Sequence, residues 1–505
     1  MNIKRAKEEI RHTVQVYLQK DDCGEYEIPA IHQRPILLIG PPGIGKTAIM
    51  EQVARDCGIN LVSYSITHHT RQSAIGLPFI EHKVYGDREY AVTEYTMSEI
   101  IASVYDRIAE SGISEGILFL DEINCVSETL APAMLQFLQA KTFGTHKVPE
   151  GWVIVAAGNP PEYNKSVREF DIVTLDRVKK IVVEENYQIW REYALAMQVH
   201  PAILSYLEIK PERFYVVRTT IDGKEFVTAR GWEDLSRLMW AYEKQGLDVD
   251  QEVIGQYLQH PETAKDFSAY LDLYHRYEAE YQVEDILQGN AAPGVYARVQ
   301  RGGFDERLSV LGLLLDRLGG YFREFYRADR LAVAIHQTLV QVKQQMRDGL
   351  SPLDALEKLL TEQTEETARL RRAKLVTRSG VRERRQVEQI LQNYVIGLKE
   401  QGEGIENDAA FAWLRSQFAA LPEQRSGLQD AAAQALEYAF DFMENAFGSG
   451  QEMVVFVTEL TVRTESLQFI RENGCERYDR YNRQLLGADE RGAILEELNK
   501  AAKEQ

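Results

Sequence analysis

The sequence predicts an α/β fold, a parallel sheet flanked by helices, followed by an α-helical lid subdomain and an all-α C-terminal region. Three observations carry this. Between residues 36 and 183 five short apolar runs alternate with helix-forming stretches, the rhythm of strands buried on both faces of a parallel sheet. From Asn186 to Tyr281 the pattern turns helical around one small hairpin, and from Leu308 onward nearly every stretch is helix-forming. A chain of 505 residues has room for roughly three domains of ~150 residues, and the shifts of pattern divide it into 1–185, 186–290 and 291–505.

Taken in order, MNIKRAKEEIRHTVQVYL is a charged amphipathic helix, which does not read as an export signal. Pro35 to Thr47 reads PILLIGPPGIGKT: Ile36 to Ile39 form the first strand and Lys46-Thr47 open the helix that runs to Cys57-Gly58. Asn60 to Thr67 is the second strand. Leu77 to Tyr95 holds two β-rich arms around Gly86-Asp87 and predicts an inserted hairpin, followed by a helix from Met97. Gly116 to Leu120 is the next strand, ending in Asp121-Glu122. A helix over Ser127 to Lys141 leads to the strand Trp152 to Ala157, which closes on Gly158-Asn159-Pro160-Pro161, and Val178 to Val183 is the last strand. Helices are expected at Asn186–Met197, Pro201–Ile209, Gly231–Gln245, Gln251–Gln259 and Ala264–Tyr281, with a hairpin around Asp222-Gly223. Gly289 to Gly294 reads as a linker. Breaks in the C-terminal helices are expected at Gly319-Gly320, Asp348–Pro352, Ser379-Gly380, Gln401–Glu406 and Gly448–Gly450.

The chemistry gathers at the strand ends. A strand, a glycine-rich turn (Gly40, Pro41, Pro42, Gly43, Ile44, Gly45) and a helix opening with Lys-Thr make a P-loop, in which the backbone N–H groups of the non-proline turn residues and the helix N-terminus cradle an anion. Lys46 is placed to reach the β- and γ-phosphates and Thr47 to hold Mg²⁺, so the ligand is a nucleoside triphosphate. Asp121 then supplies a carboxylate to Mg²⁺ through water, and Glu122 polarises the attacking water. Asn159 is placed to orient that water. Lys46, Asp121 and Asn159 all fall at the carboxyl ends of strands, where such sheets bind ligands. Arg177 sits just before a strand, where a subunit edge can present it to a neighbour's γ-phosphate. Arg168 competes for that role, and the alternative for each is a surface ion pair, the better reading for Arg168 and the lesser one for Arg177. Arg230 stands at a helix start in the second subdomain, placed to touch the γ-phosphate in cis.

Other signals are weaker. Hydrophobic residues are 44% and charged residues 27%, a globular balance, and no apolar run reaches the ~20 residues of a membrane span. Four isolated cysteines without a CxxC pair point to a reducing cytoplasm, not a disulfide scaffold or zinc site. A net charge of -19 opposes long-range attraction to nucleic acid. Against it stands a basic island at 369–385, readable as a dock for an acidic partner or nucleic acid or as a solvated helical face. His68-His69 lacks a carboxylate or cysteine at ligand spacing.

Together GPPGIGKT, ILFLDEIN, VAAGNPPEY, TLDR and TARGWEDL resemble an AAA+ ATPase, and within that group the MoxR branch. The resemblance covers roughly residues 28–281. It implies Walker A at Gly40–Thr47, Walker B at Ile117–Glu122, sensor 1 at Asn159, the arginine finger at Arg177 and sensor 2 at Arg230. Members often read LDRF, whereas Val178 follows Arg177 here. The hairpin at 77–95 and the preceding HTRQSAIGLP are similar to pore-facing insertions of that branch. What the resemblance implies is a hexameric ring that couples ATP hydrolysis to remodelling of a client protein, chaperone-like, with a partner carrying a von Willebrand factor A domain on another chain, since no DxSxS occurs here. NKxD is absent too, so ATP is expected over GTP. A nucleotide-gated scaffold with slow hydrolysis and a nucleic-acid-acting ATPase are the alternatives.

Overall fold

The computed structural model describes residues 1–68, 76–143, 145–163, 167, 170–221, 223–402 and 406–485. They form two compact units: residues 1–189 with 228–230 and 361–385, and residues 190–227 with 231–360 and 386 onward.

In the first unit, α1 (Ile3–Tyr17), β1 (Ile36–Ile39), α2 (Lys46–Cys57), β2 (Asn60–Ser65), β3 (Pro78–Tyr85), β4 (Arg88–Tyr95), α3 (Glu99–Ser111), β5 (Gly116–Asp121), α4 (Ala131–Ala140), β6 (Thr142–Phe143), β7 (His146–Lys147), β8 (Trp152–Gly158), α5 (Ile172–Leu175) and β9 (Lys179–Val182) follow in order. The expected parallel sheet is present, with strand order β2-β5-β8-β1-β9. Alternation along its strands sorts side chains to the two faces. Leu118 and Leu120 of β5 pack with Ile100, Val104, Met134 and Phe137 from α3 and α4. Ile117 and Phe119 point the other way, to Ala6, Ile10 and Val14 of α1 and Met50 and Val53 of α2. Register then fixes the site: Ser65 lies opposite Asp121, and Ile39 opposite Gly158.

The hairpin expected over 77–95 forms as β3 and β4, paired antiparallel from Pro78↔Tyr95 to Tyr85↔Arg88. Phe79, Ile80, Val84, Tyr85 and Tyr90 are all exposed on it. The helix expected from Ser127 starts later, at Ala131, because Pro132 sits in its first turn, where a missing N–H costs nothing; Ser127 to Leu130 form a turn instead. The short β6–β7 hairpin has no counterpart in the sequence reading.

The second unit begins within α6 (Tyr187–Ala196) and continues through α7 (Pro201–Ile209), β10 (Val216–Thr220), β11 (Gly223–Val227), α8 (Ala229–Gln245), α9 (Gln251–Tyr257), α10 (Pro261–Tyr281), α11 (Val283–Leu287), α12 (Pro293–Arg301), α13 (Phe304–Arg347), α14 (Pro352–Arg372), α15 (Arg378–Glu400), α16 (Asn407–Phe418), α17 (Ala420–Phe447), α18 (Gln451–Val462) and α19 (Thr464–Asn473). Tyr206, Trp232 and Phe267 are fully buried and pack ring against ring, and Trp232 Nε1 donates to Phe214 O at 3.1 Å. Two expected breaks are not breaks. Gly319-Gly320 lies inside α13, because Leu315, Leu318, Phe322 and Phe325 on either side are buried, α13 packing along α17, and tertiary burial outweighs the low helix propensity of glycine. Ser379-Gly380 lies in the first turn of α15, where Thr377 Oγ1 accepts from the Gly380 N–H at 3.1 Å; the chain turns earlier, at Lys374, which has φ 57°.

Residues 361–385, the distal parts of α14 and α15 with the basic island, belong to the first unit, where Arg107 Nη1 of α3 donates to Arg372 O at 2.8 Å. Arg369 pairs with Glu366 through two hydrogen bonds of 2.7 and 2.9 Å, while Arg371, Arg372, Arg378, Arg382, Arg384 and Arg385 are exposed. No helix among the described residues is long and apolar enough to cross a membrane.

Candidate functional site: a P-loop at the strand ends

The turn between β1 and α2 is built by glycines that a side chain would block. Gly43 has φ 74°, and a Cβ there would lie 2.8 Å from Thr228 Oγ1; Gly45 has φ 93° and offers α2 no side-chain cap. The start of α2 is thus left open for an anion to take the place of a cap. Lys46, the first residue of α2, folds back: its Nζ donates to Gly40 O, Pro41 O and Asn159 Oδ1, each at 2.8 Å. Its side chain is buried. Burial pushes the ammonium down to about 8; Asp121 and Glu122 oppose this and Arg230 reinforces it.

Thr47 Oγ1 donates to Asp121 Oδ2 at 3.2 Å. A hydroxyl and a carboxylate at that separation are a fitting donor pair for Mg²⁺, which takes few protein ligands and completes its shell with water and phosphate oxygens. Asp121 Oδ1 accepts from the Glu122 N–H at 2.9 Å, and Glu122 itself has φ 57°, a left-handed conformation that non-glycine residues seldom adopt. Its carboxylate is held: Glu122 Oε2 accepts from Thr67 Oγ1 at 3.0 Å and from Ser65 Oγ at 3.5 Å.

Arg230 joins this group through its backbone, the Arg230 N–H donating to Gly43 O at 3.2 Å; Thr228 to Arg230 cluster with the first unit. Arg177 does not join it. It is exposed, its Nη1 donates to Gln139 Oε1, and among the described residues no hydrogen bond or ion pair links it to Lys46, Thr47, Asp121, Glu122 or Asn159. Arg168 and His69, like most of HTRQSAIGLP, lie outside the described residues. No group of three or more His, Cys, Asp or Glu suited to a metal ion occurs among the described residues.

The sequence reading missed four residues. Ser65 and Thr67 restrain Glu122, and Thr228 packs on Gly43. Asn124 clamps the sensor position: its Nδ2 donates to Asn159 O at 2.8 Å and its Oδ1 accepts from the Asn159 N–H at 3.3 Å. Asn124 was signalled by standing two residues after Glu122, but the others become neighbours only through strand register and tertiary folding.

The restraint on Glu122 has a measurable consequence. A hydrogen bond to a charged group contributes ~1.5–3 kcal/mol, so removing both hydroxyls in Ser65→Ala/Thr67→Val should free the carboxylate to turn toward a bound phosphate. For a site that hydrolyses ATP, basal turnover is expected to rise by about tenfold. A fall in turnover at unchanged ATP affinity would show instead that the two hydroxyls hold Glu122 in its working position.

Fold and site together define a P-loop nucleotide-binding α/β domain. Residues 36–176 match the model of the ATPase family associated with various cellular activities (AAA), so this stretch is an AAA domain and the chain a nucleotide-binding protein. No curated protein matches the chain.

Proposed function

We propose that the protein is a MoxR-like AAA+ ATPase that binds and hydrolyses ATP with Mg²⁺ in a ring homo-oligomer, a hexamer by analogy with that branch, and uses turnover to remodel or assemble a client protein. One observation carries this reading: Lys46, Thr47, Asp121, Glu122 and Asn159, from three strand ends, meet with the Arg230 backbone around one uncapped helix start. In it Gly40 to Gly45 cradle the phosphates, Lys46 neutralises them, and Thr47 and Asp121 hold Mg²⁺, which supplies charge stabilisation at the phosphates when bound. Glu122 takes a proton from the attacking water, Asn159 orients that water, and Arg230 reports the γ-phosphate in cis. The exposed apolar residues of β3 and β4 suit contact with a client chain. The resemblance to the MoxR branch adds a separate von Willebrand factor A domain partner, and four free cysteines fit work in the cytoplasm.

Exposed, and with Gln139 as its side-chain hydrogen-bond partner among the described residues, Arg177 suits action on a neighbouring subunit. ATPase specific activity should therefore rise with protein concentration. Arg177→Ala should lower turnover on the order of 10³-fold, and mixing it with Glu122→Gln protein should restore part of the activity, because Glu122→Gln subunits lend their arginine to intact sites. Full activity in Arg177→Ala, or no recovery on mixing, rules Arg177 out as the trans-acting group. The hold of Ser65 and Thr67 on Glu122 favours a second reading, a nucleotide-gated scaffold with slow hydrolysis. Tight ATP-dependent complexes without acceleration by any partner would support it.

A further inference from the structure

In the second unit a cavity of about 450 Å³ opens between α6, α7 and α8 on one side and α13 and α18 on the other. Its volume is that of a small-ligand site, typically ~300–1,000 Å³. Leu204, Leu308, Leu311, Val455 and Trp240 give it an apolar wall. Arg191, Arg323, Arg463 and Lys244 supply four cations against the three carboxylates of Glu208, Asp316 and Glu459, which leaves one positive charge uncompensated.

The three guanidinium groups are not equally satisfied. Arg191 is fully engaged: its Nε bonds Glu208 Oε2 at 2.9 Å and its Nη2 pairs with Glu459. Among the described residues Arg463 Nη1 donates to Leu315 O alone, at 3.2 Å, and its buried Nε donates no hydrogen bond, the nearest Glu459 oxygen being 3.7 Å away. Arg323 has its nearest carboxylate oxygen, on Asp316, at 3.9 Å and makes no hydrogen bond among the described residues. Burial holds the Arg463 guanidinium below its usual range, against Glu459 and Asp316, and Arg191 and Arg323 add to the effect.

The glycine pair inside α13 marks the place. A Cβ on Gly319 would lie 3.0 Å from Arg323 Nη1 and 3.8 Å from Arg463 Nη1, so the two loosely held guanidinium groups sit side by side over bare helix backbone. Two glycines in a helix interior cost about 1 kcal/mol each relative to alanine. Here Gly319 makes room for Arg323, while a Cβ on Gly320 would meet Arg323 Nη2 at an ordinary 3.9 Å.

We propose that this cavity binds a small amphipathic carboxylate, its head between Arg323 and Arg463 and its apolar body along Leu315 and Leu311, one and two turns back on α13 from Gly319. A carboxylate accepts from two guanidinium groups at once, and these charge-assisted bonds are the strong ones. One negative charge brings the cavity to neutrality, whereas a di- or triphosphate leaves negative charge unmatched beside Glu208, Asp316 and Glu459. Occupancy joins α6 to α8 with α13 and α18 within the second unit. None of this depends on nucleotide hydrolysis.

The test is calorimetric titration of the full-length protein with octanoate and with 3-phenylpropionate, alongside the corresponding amides, inorganic phosphate and a short peptide with a free C-terminal leucine. At least one of the two acids should bind, its amide at least about tenfold more weakly, and Arg323→Gln should lose a similar factor. Leu311→Trp, which narrows the cavity two turns from the cations, should weaken the same ligand, and a cooperative thermal transition shows that each variant is folded. No binding by either acid, equal binding by acid and amide, or binding unchanged in both variants overturns the proposal. Preference for phosphate or for the peptide overturns it as well.

Discussion

Glu122→Gln should lower ATP turnover by about 10²–10⁴-fold while leaving ATP affinity within about twofold. Glutamine has the volume of glutamate and can still accept from Thr67 Oγ1, which lies 3.0 Å from Glu122 Oε2, so the strained backbone at φ 57° keeps its support. It cannot take a proton from water. Asp121, which hydrogen-bonds Thr47 and the Glu122 N–H, is untouched, so the pair proposed to hold Mg²⁺ stays in place. The variant should therefore accumulate with ATP bound, and size-exclusion chromatography in ATP should show the largest assembly the protein forms. Single-turnover chemistry separates this from slow product release. Turnover within about threefold of wild type would remove Glu122 as the general base.

How far the sequence discloses such a site depends on whether its partners are close along the chain. Ile36–Ile39, Gly116–Leu120 and Trp152–Ala157 read as strands because the interior of a parallel sheet demands continuous apolar runs, and all three are buried but for the half-buried Ile39. Gly40 to Thr47 was legible for a related reason, since a phosphate cradle is one turn of local backbone. The hold on Glu122 was not, since Ser65 meets Asp121 only by the pairing of β2 with β5, fifty-six residues apart in the chain. Gly319-Gly320 misled in the opposite direction. Local propensity says break, but burial of Leu318 and Phe322 keeps α13 intact for 44 residues, and the close approach of Arg323 to Gly319 shows only in the folded structure. Domain limits read from composition face the same obstacle, because residues 361–385 cluster with a unit whose other residues lie far away in sequence.

Lys46→Met should weaken ATP binding by about 10²-fold, the loss of one or two charge-assisted hydrogen bonds to phosphate. The wild-type pH dependence gives the signature. Without nucleotide the buried ammonium titrates near 8, against 10.5 for an unburied lysine. A bound triphosphate favours the ammonium and raises that value, so above pH 8 binding takes up a proton. Affinity should be level below pH 8 and fall by up to about tenfold per pH unit above it. Lys46→Met should lose this dependence. Stability of the free protein runs the other way. Because the folded-state value is depressed, the unfolded chain binds more protons between pH 8 and 10.5, and Lys46 adds stability as pH rises through that window, roughly 3 kcal/mol in full. Below pH 8 the charged, buried amine costs that amount, partly offset by its bonds to Gly40, Pro41 and Asn159. Lys46→Met should thus be no less stable than wild type at pH 7 and should lack the alkaline gain, which separates lost binding from lost folding. Calorimetry in buffers of different ionisation enthalpy counts the proton directly. Wild-type affinity that stays flat from about pH 7 to 9.5 with no proton uptake would show that Lys46 does not meet the phosphates.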